Sequence, residues 1–194
     1  LMSEAQLLQK EGVANPLSLM TVDERSLCST VFHMAASQLS ELLLKDNPRG
    51  TIGSGVGQAY RLNESNPELS VFVGDLSKAD LRDRLAAIQM HYRNRFAEVL
   101  RDLDQFKMID LKHVCEAQSL LMKDVYVDSA TELMQEFAAK CVVTNADYFS
   151  GRVLGRGGVV VSESSHGILT DKYTGFHPHT SAIRTLPTFT RGMY

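Results

Sequence analysis

Between Ser77 and Leu103 the apolar residues Leu81, Leu85, Ile88, Tyr92, Phe96, Val99, Leu100 and Leu103 recur at intervals of three and four, broken only by the adjacent pair Val99 and Leu100. Side chains spaced in this way line one face of a helix, and that face must be buried against something else. Ser77-Lys-Ala-Asp80 ahead of it reads as a capping box with aspartate in place of the usual glutamate or glutamine. Arg82, Asp83, Arg84, Arg93, Asn94 and Arg95 cover the remaining surface and read as a solvated face. The rest of the chain supplies partners. A helix is expected over residues 2–11, with Ser3 as N-cap and Gly12 as stop. A second runs from about 24 to 45, with Leu27, Val31, Met34, Ala35, Leu39, Leu42 and Leu43 on one side, and ends at Asn47-Pro-Arg-Gly50. Two more cover 111–123 and 129–143, divided by Val125-Tyr-Val127, with Asp128 or Ser129 as cap of the latter.

Short strands are expected at 17–21, 71–73 and 159–161, the last apolar enough to read as buried. Residues 63–67 and 145–158 are polar or turn-rich, and no internal repeat is present. The fold class implied is α/β, predominantly helical with a few short strands, in a single domain over 1–194. Within it, 1–49 is helical, 50–76 a glycine-rich loop and linker, 77–150 helical, and 151–194 a strand followed by a candidate ligand loop. The 194 residues, 44% apolar and 22% charged, suffice for a real core. A net charge of −3 favours neither nucleic acid nor an anionic membrane. No apolar run approaches the ~20 residues that span a bilayer, and the start lacks the pattern of a secretory signal. Cys28, Cys115 and Cys141 are odd in number and far apart, as expected of small buried side chains in a reducing compartment. The expected location is therefore cytoplasmic. The chain opens inside an amphipathic pattern and stops at Arg191-Gly-Met-Tyr194 without a closing element, as a piece of a longer protein would.

Two stretches carry the chemistry. In Gly50-Thr-Ile-Gly-Ser-Gly-Val-Gly-Gln-Ala-Tyr60, Gly53, Gly55 and Gly57 free the backbone to turn its N–H groups toward an anion, and Thr51 and Ser54 add hydroxyls. No Gly-Lys-Ser/Thr follows, so this is not a Walker A loop, and the spacing is wrong for a dinucleotide fingerprint. The residues alone leave two readings, a plain flexible connection and a phosphate loop. In Glu163-Ser-Ser-His-Gly-Ile-Leu-Thr-Asp171, continuing through Gly175-Phe-His-Pro-His-Thr-Ser181, a carboxylate, hydroxyls, imidazoles and a glycine follow the apolar run Val159–Val161. Such a set at the end of a strand suits a polar ligand. A metal reading would join His166, His177 and His179 to Asp171 or Glu163, but the spacing matches no strong ligand pattern, and ordinary loop histidines are the simpler account. His33, His91 and His113 fall in helices as packing or surface residues. No Gly-x-Ser-x-Gly elbow accompanies the serines.

Both stretches resemble segments of the adenylosuccinate synthetase family. The second is similar to Glu-Gly-Ala-Gln-Gly-Thr-Leu-Leu-Asp followed by Gly-Thr-Tyr-Pro-Tyr-Val-Thr: Glu163, Gly167, Leu169, Asp171, Gly175 and Pro178 match, and Ser181 stands at the threonine. The first resembles Thr-Thr-Gly-Arg-Gly-Ile-Gly-Pro-Ala-Tyr through Thr51, Gly53, Gly55, Gly57, Ala59 and Tyr60. Val73-Gly-Asp-Leu76 matches a Val-Gly-Asp-Leu that precedes a long helix in the family. The blocks follow in the family's order, from the first helix to about Ser181. The resemblance implies part of the synthetase fold, which is P-loop NTPase-like. It also implies a nucleotide site at Thr51, Ile52, Gly53, Ser54, Gly55, His166, Gly167, Thr180 and Ser181, with no catalytic residue and no metal ligand in this chain.

The family joins aspartate to inosine monophosphate (IMP) with GTP and Mg2+, and the resemblance implies a purine nucleoside monophosphate ligand and a homodimer. Departures are concentrated at the nucleotide. Ile52 replaces a threonine, Ser54 the loop arginine and His166 a glutamine, and no basic residue lies near Glu68 where a partner-reaching arginine is expected. The family's Gly-Asp-Glu-Gly-Lys-Gly and Gly-His-Asn-Ala-Gly-His segments, which carry its catalytic residues, do not occur here. The expectation is a central fragment of a diverged synthetase, inactive alone, with neither GTP nor Mg2+ bound by this chain by itself. Two other readings stay open: a non-catalytic nucleotide-binding or dimerisation module in which helices 24–45 and 78–104 pair between subunits, and a metal-dependent enzyme built on the histidine loop.

Overall fold

The computed structural model describes residues 2–44, 51, 53–102 and 111–192. Helices α1 (Met2–Lys10), α2 (Val31–Leu43), α3 (Val56–Ser65), α4 (Leu81–Arg95), α5 (Ala97–Arg101), α6 (Leu111–Met122) and α7 (Val125–Lys140) carry most of the chain. Strands β1 (Thr21–Asp23) and β2 (Val142–Thr144) pair in parallel, with Val22 opposite Val143. After β2 come helical turns over 146–156 and a loop region that closes with the short helix Pro187–Arg191. The core is a helix-on-helix layer in which α2 packs chiefly on α6 and α4 on α7. The expected stripe on α4 is the centre of it: Leu81, Leu85, Ile88 and Tyr92 are all buried. Each such aliphatic side chain contributes about 1.5–3 kcal/mol by leaving water. The apolar stripes of α2 and α4 meet within the chain through Phe32, Leu39, Leu85 and Ile88, while Met34, Leu43 and Met90 on the same helices are exposed.

Several boundaries differ from the sequence reading, each for a local reason. The second helix starts at Val31, not 24, because residues 24–28 are engaged elsewhere. Cys28 N–H donates to Val71 O (2.9 Å), Val73 N–H to Ser26 O (2.9 Å) and Gly74 N–H to Glu24 O (2.9 Å). The capping box sits here and not at Ser77: Thr30 caps α2 together with His33. At α4 the N-cap is Asp80, whose carboxylate makes no cap bond and instead accepts from Arg84 Nε (2.8 Å). Likewise Ser3 lies inside α1. Asp128 and Ser129 lie inside α7, where Asp128 pairs with Arg82 (2.8 Å).

The long helix ends at Phe96, close to where the spacing fails at Val99 and Leu100, and a short second piece follows. Leu103 lies outside the described residues. The expected strand 17–21 is a 3-10 turn (Pro16–Leu19) leading into β1. Residues 71–73 contribute one antiparallel bridge, Leu27 to Phe72, instead of a strand. Val125–Val127 opens α7, with Val127 in the core, and does not divide two helices. The apolar pattern of 129–143 conceals β2, since the chain leaves the helix at Cys141.

The largest correction concerns Val159–Val161. These residues are not a buried strand; Val159 is 91% and Val161 85% exposed, and no strand lies beside them among the described residues. Apolar composition records a demand for burial, and the pairing that would satisfy it is absent from the described part. Cys115 is exposed, and Cys28 and Cys141 half-buried, so the expectation of buried thiols fails for one of the three. Among the described residues no helix is long and apolar enough to cross a membrane.

Candidate functional site

The glycine loop ends sooner than expected. Gly53 (φ 72°) and Gly55 (φ 79°) hold the left-handed conformation that glycine adopts without strain, and Gly55 caps α3 directly. Residues 56–65, expected as loop and linker, are therefore helical. The reason for glycine at 55 is also steric. A Cβ there would fall 2.5 Å from Met34 N and 2.6 Å from His33 C, so the loop backbone lies directly on the first turn of α2. Ser29 Oγ donates to Ser54 O (3.0 Å), and Gly53 N–H donates to Thr51 Oγ1 (3.3 Å). Thr51 and Ser54 point their exposed side chains outward, while Ile52 lies outside the described residues.

Beneath the loop the polar groups are buried. Thr30 N–H can only donate, so His33 Nδ1 accepts its bond (3.0 Å) and the imidazole proton sits on Nε2. Burial, with a smaller contribution from the facing His91, pushes the His33 pKa down to about 4. Its ring meets Tyr92 edge-on at 5.5 Å, and burial raises the Tyr92 phenol to about 12. The Val73-Gly-Asp-Leu76 block is structural. A Cβ on Gly74 would press on Glu24 (3.1 Å), Leu76 is buried, and Asp75 accepts from Phe72 N–H (2.9 Å) and Lys78 Nζ (2.7 Å). Burial works to raise the Asp75 pKa, but these bonds outweigh it and hold the carboxyl below its usual range.

The second loop folds around Asp171, which has no exposed surface. Its Oδ1 accepts from Tyr173 N–H (3.0 Å), Thr174 N–H (3.1 Å) and Thr174 Oγ1 (3.0 Å), and Oδ2 accepts from Thr185 N–H (2.7 Å). These donors, Thr185 first, hold the carboxyl well below the usual carboxylate range. Gly175 is required beside it, because a Cβ would lie 2.6 Å from Asp171 O and from Leu169 O. Asp171 is thus the internal clamp of the loop, with its oxygens already occupied. Among the described residues no three His, Cys, Asp or Glu side chains gather as a metal site.

The two loops meet at α3. A Cβ on Gly57 would touch Ala182 Cβ (3.4 Å), and Lys172 pairs with Glu64. The Arg61 guanidinium also lies at Gly57, with Nη2 3.5 Å from that Cβ position. Ser181 N–H donates to Thr170 O (2.7 Å), which sets the Thr180–Ser181 backbone next to Ala182 and hence to the first turn of α3. Gly167 is tied into the same loop, its carbonyl accepting from Thr170 Oγ1 (2.8 Å) and Thr185 Oγ1 (3.1 Å). His166 is exposed. Gln58 and Ala182 were not singled out by the sequence, although Gln58 stands where the resembled pattern has proline.

The arrangement is a glycine loop capping a helix, with a second loop folded on that helix's first turn. It sits in a mostly helical chain with a two-stranded parallel sheet. The profile of the family described as adenylosuccinate synthetase matches residues 1–191. The chain is 30% identical to the adenylosuccinate synthetase of Trichoplax adhaerens over 107 residues, which cover 54% of this chain and 24% of that protein. It is 25% identical to the Mycobacterium leprae enzyme over 183 residues (94% of this chain, 37% of that protein) and 25% to the Nitrosococcus oceani enzyme over 187 residues (95% and 38%). The chain belongs to the adenylosuccinate synthetase family. It spans less than two fifths of the length of these relatives.

Proposed function

We propose that this chain is the part of a GTP-dependent purine nucleotide ligase that binds the phosphate of a purine nucleoside monophosphate, IMP or a close relative. The observation that carries the reading is the convergence at α3. The left-handed glycines 53 and 55 lead into its N-terminus, the Ser181–Ala182 segment lies on Gly57, and the Arg61 guanidinium is alongside. The first-turn amides of a helix lack intrahelical acceptors and present partial positive charge, so an anion is favoured there. In this reading Thr51, Ile52, Gly53, Ser54 and Gly55 surround the phosphate from one loop, and His166, Gly167, Thr180 and Ser181 close on it from the other. Arg61 offsets part of the charge lost where Ser54 replaces arginine.

The same proposal extends to the whole enzyme. It would join aspartate to the nucleotide as a cytoplasmic homodimer with the P-loop NTPase-like architecture of its family, and this chain would form a single central domain with the boundaries given above. Mg2+ and GTP are assigned to other parts of that enzyme, since the family's Gly-Asp-Glu-Gly-Lys-Gly and Gly-His-Asn-Ala-Gly-His segments do not occur in this chain. Calorimetric titration with IMP and with guanosine monophosphate, against a magnesium-only control, tests the site. Saturable binding is expected, and no heat at millimolar nucleotide overturns the reading. The chain alone should show no ligase turnover; GTP- and aspartate-dependent product from the purified chain would contradict that.

A further inference from the structure

Gln58 lies on the first turn of α3 and is only 2% exposed. Its Nε2 donates to Ser40 Oγ (2.8 Å) and, at longer range, to Ala36 O (3.4 Å), while Ser40 Oγ itself donates to Ala36 O (2.7 Å). Its own N–H donates to Gly55 O (3.0 Å), and its carbonyl accepts from Tyr92 OH (3.2 Å). One residue therefore ties the end of the glycine loop to both α2 and α4. The other end of the loop reaches α2 elsewhere: a Cβ on Gly53 would lie 3.6 Å from Gln38 Cγ. At roughly 100° per residue, Gln38 stands roughly 200° around the helix from both Ala36 and Ser40. The loop thus straddles α2, with Gly53 on one flank, Gly55 over its first turn and Gln58 on the other flank.

The Gln58 Oε1 is buried without a hydrogen-bond partner. An apolar side chain of the same size would fill this space and leave no unpaired acceptor, so burial alone does not favour glutamine here. The bond to Ser40 does. Proline, which the resembled pattern has at this position, would supply neither the side-chain donor nor the N–H to Gly55. We propose that Gln58 is a positioning residue: through Ser40 it sets where the Gly53–Gly55 loop and the first turn of α3 stand, and so the geometry of the phosphate site. The role in binding rests on the function proposed above; the positioning itself does not.

The test uses Gln58→Leu and Ser40→Ala, singly and combined, with amide hydrogen exchange of residues 55–59 measured without ligand and IMP affinity measured by calorimetry. Each single change should speed exchange in that turn by about tenfold and leave α4 and α6 amides unchanged, as expected of local opening. The combined variant should be no faster than Gln58→Leu alone, since both changes remove the Gln58–Ser40 bond. IMP affinity should fall about fivefold or more, in step with the exchange rates. Unchanged exchange in the single variants, additive effects, or loosening spread to α4 and α6 would overturn the positioning role. Ser40→Ala keeps the test open if Gln58→Leu fails to fold. Altered exchange in the variants, together with a parent chain that binds no nucleotide, would leave the positioning in place and remove the phosphate-site reading. The reverse pattern would do the opposite.

Discussion

Acidification from pH 7 to pH 5 should destabilise the chain chiefly through His33. In the folded state its Nδ1 accepts the Thr30 N–H inside the α2 capping box, and the ring is 2% exposed. A second proton must go to Nδ1, which abolishes that bond and charges a buried ring. The folded pKa is about 4 against 6.5 for a free histidine. The unfolded chain therefore takes up the proton first. The stabilisation is complete above the unfolded pKa and drains away as pH falls toward the folded one. With ~1.4 kcal/mol per pH unit for each group, the one and a half units between pH 6.5 and pH 5 amount to about 2 kcal/mol. Urea unfolding of the parent chain and of His33→Asn at pH 7 and pH 5 measures this. Asparagine can still accept from Thr30 through Oδ1 but does not titrate. His91, whose pKa is also depressed, chiefly by burial and then by Arg95, remains in both proteins and cancels. The parent should lose about 2 kcal/mol more than the variant between these pH values. Parallel losses, agreeing to within about 0.5 kcal/mol, would refute the assignment of a neutral, accepting His33.

Three further outcomes are expected. Gly55→Ala places a Cβ on the backbone of α2 at positive φ and should cost about 3 kcal/mol or more in a denaturation experiment; a loss below about 1 kcal/mol would mean that the loop does not rest on α2. Asp171→Asn sets an NH2 against one of the N–H donors that now meet the carboxylate, so exchange at Thr185 should quicken by at least about tenfold while the helical core keeps its protection. Protection at Thr185 unchanged from the parent would deny Asp171 its clamping role. Ser54→Arg adds an exposed cation to the loop and should tighten IMP binding by roughly tenfold or more, as one charge-assisted bond contributes about 1.5–3 kcal/mol. No gain in affinity would place the phosphate elsewhere.

The helices were legible because burial and spacing coincide in them. The Leu81, Leu85, Ile88, Tyr92 stripe appears on the page and in the core alike. What the sequence hid were places where a local bond outcompetes propensity. Residues 24–28 carry a helical pattern but pair with 71–74, and no spacing rule announces a partner more than forty residues away. The capping box at Thr30 was missed because its third residue is histidine, whose ring nitrogen does what a glutamate oxygen usually does. Val159–Val161 read as a buried strand because apolar content is visible in sequence while the neighbour that would cover it is not. At the candidate site, the two loops were legible as motifs and their meeting at Gly57 was not.

That meeting separates two demands that a motif merges. Gly53 answers to its left-handed φ of 72°, an added Cβ at Gly57 would make ordinary contact with Ala182, and Gly55 alone of the three answers to packing, on the α2 backbone. Gly175 answers in the same way to the Asp171 turn. Their agreement with the family pattern therefore records a shared scaffold, and a scaffold of this shape would be held whether or not a nucleotide is bound. The demands of the proposed ligand would fall on the exposed residues Thr51, Ser54 and His166, and it is at Ser54 and His166 that the chain departs from the pattern. A substitution there changes charge and hydrogen bonding without disturbing any buried contact described above, so affinity and base preference are free to drift on a fixed backbone. In the proposed site the glycines would fix where a phosphate sits, and the exposed substitutions would decide how tightly it is held and which nucleotide carries it.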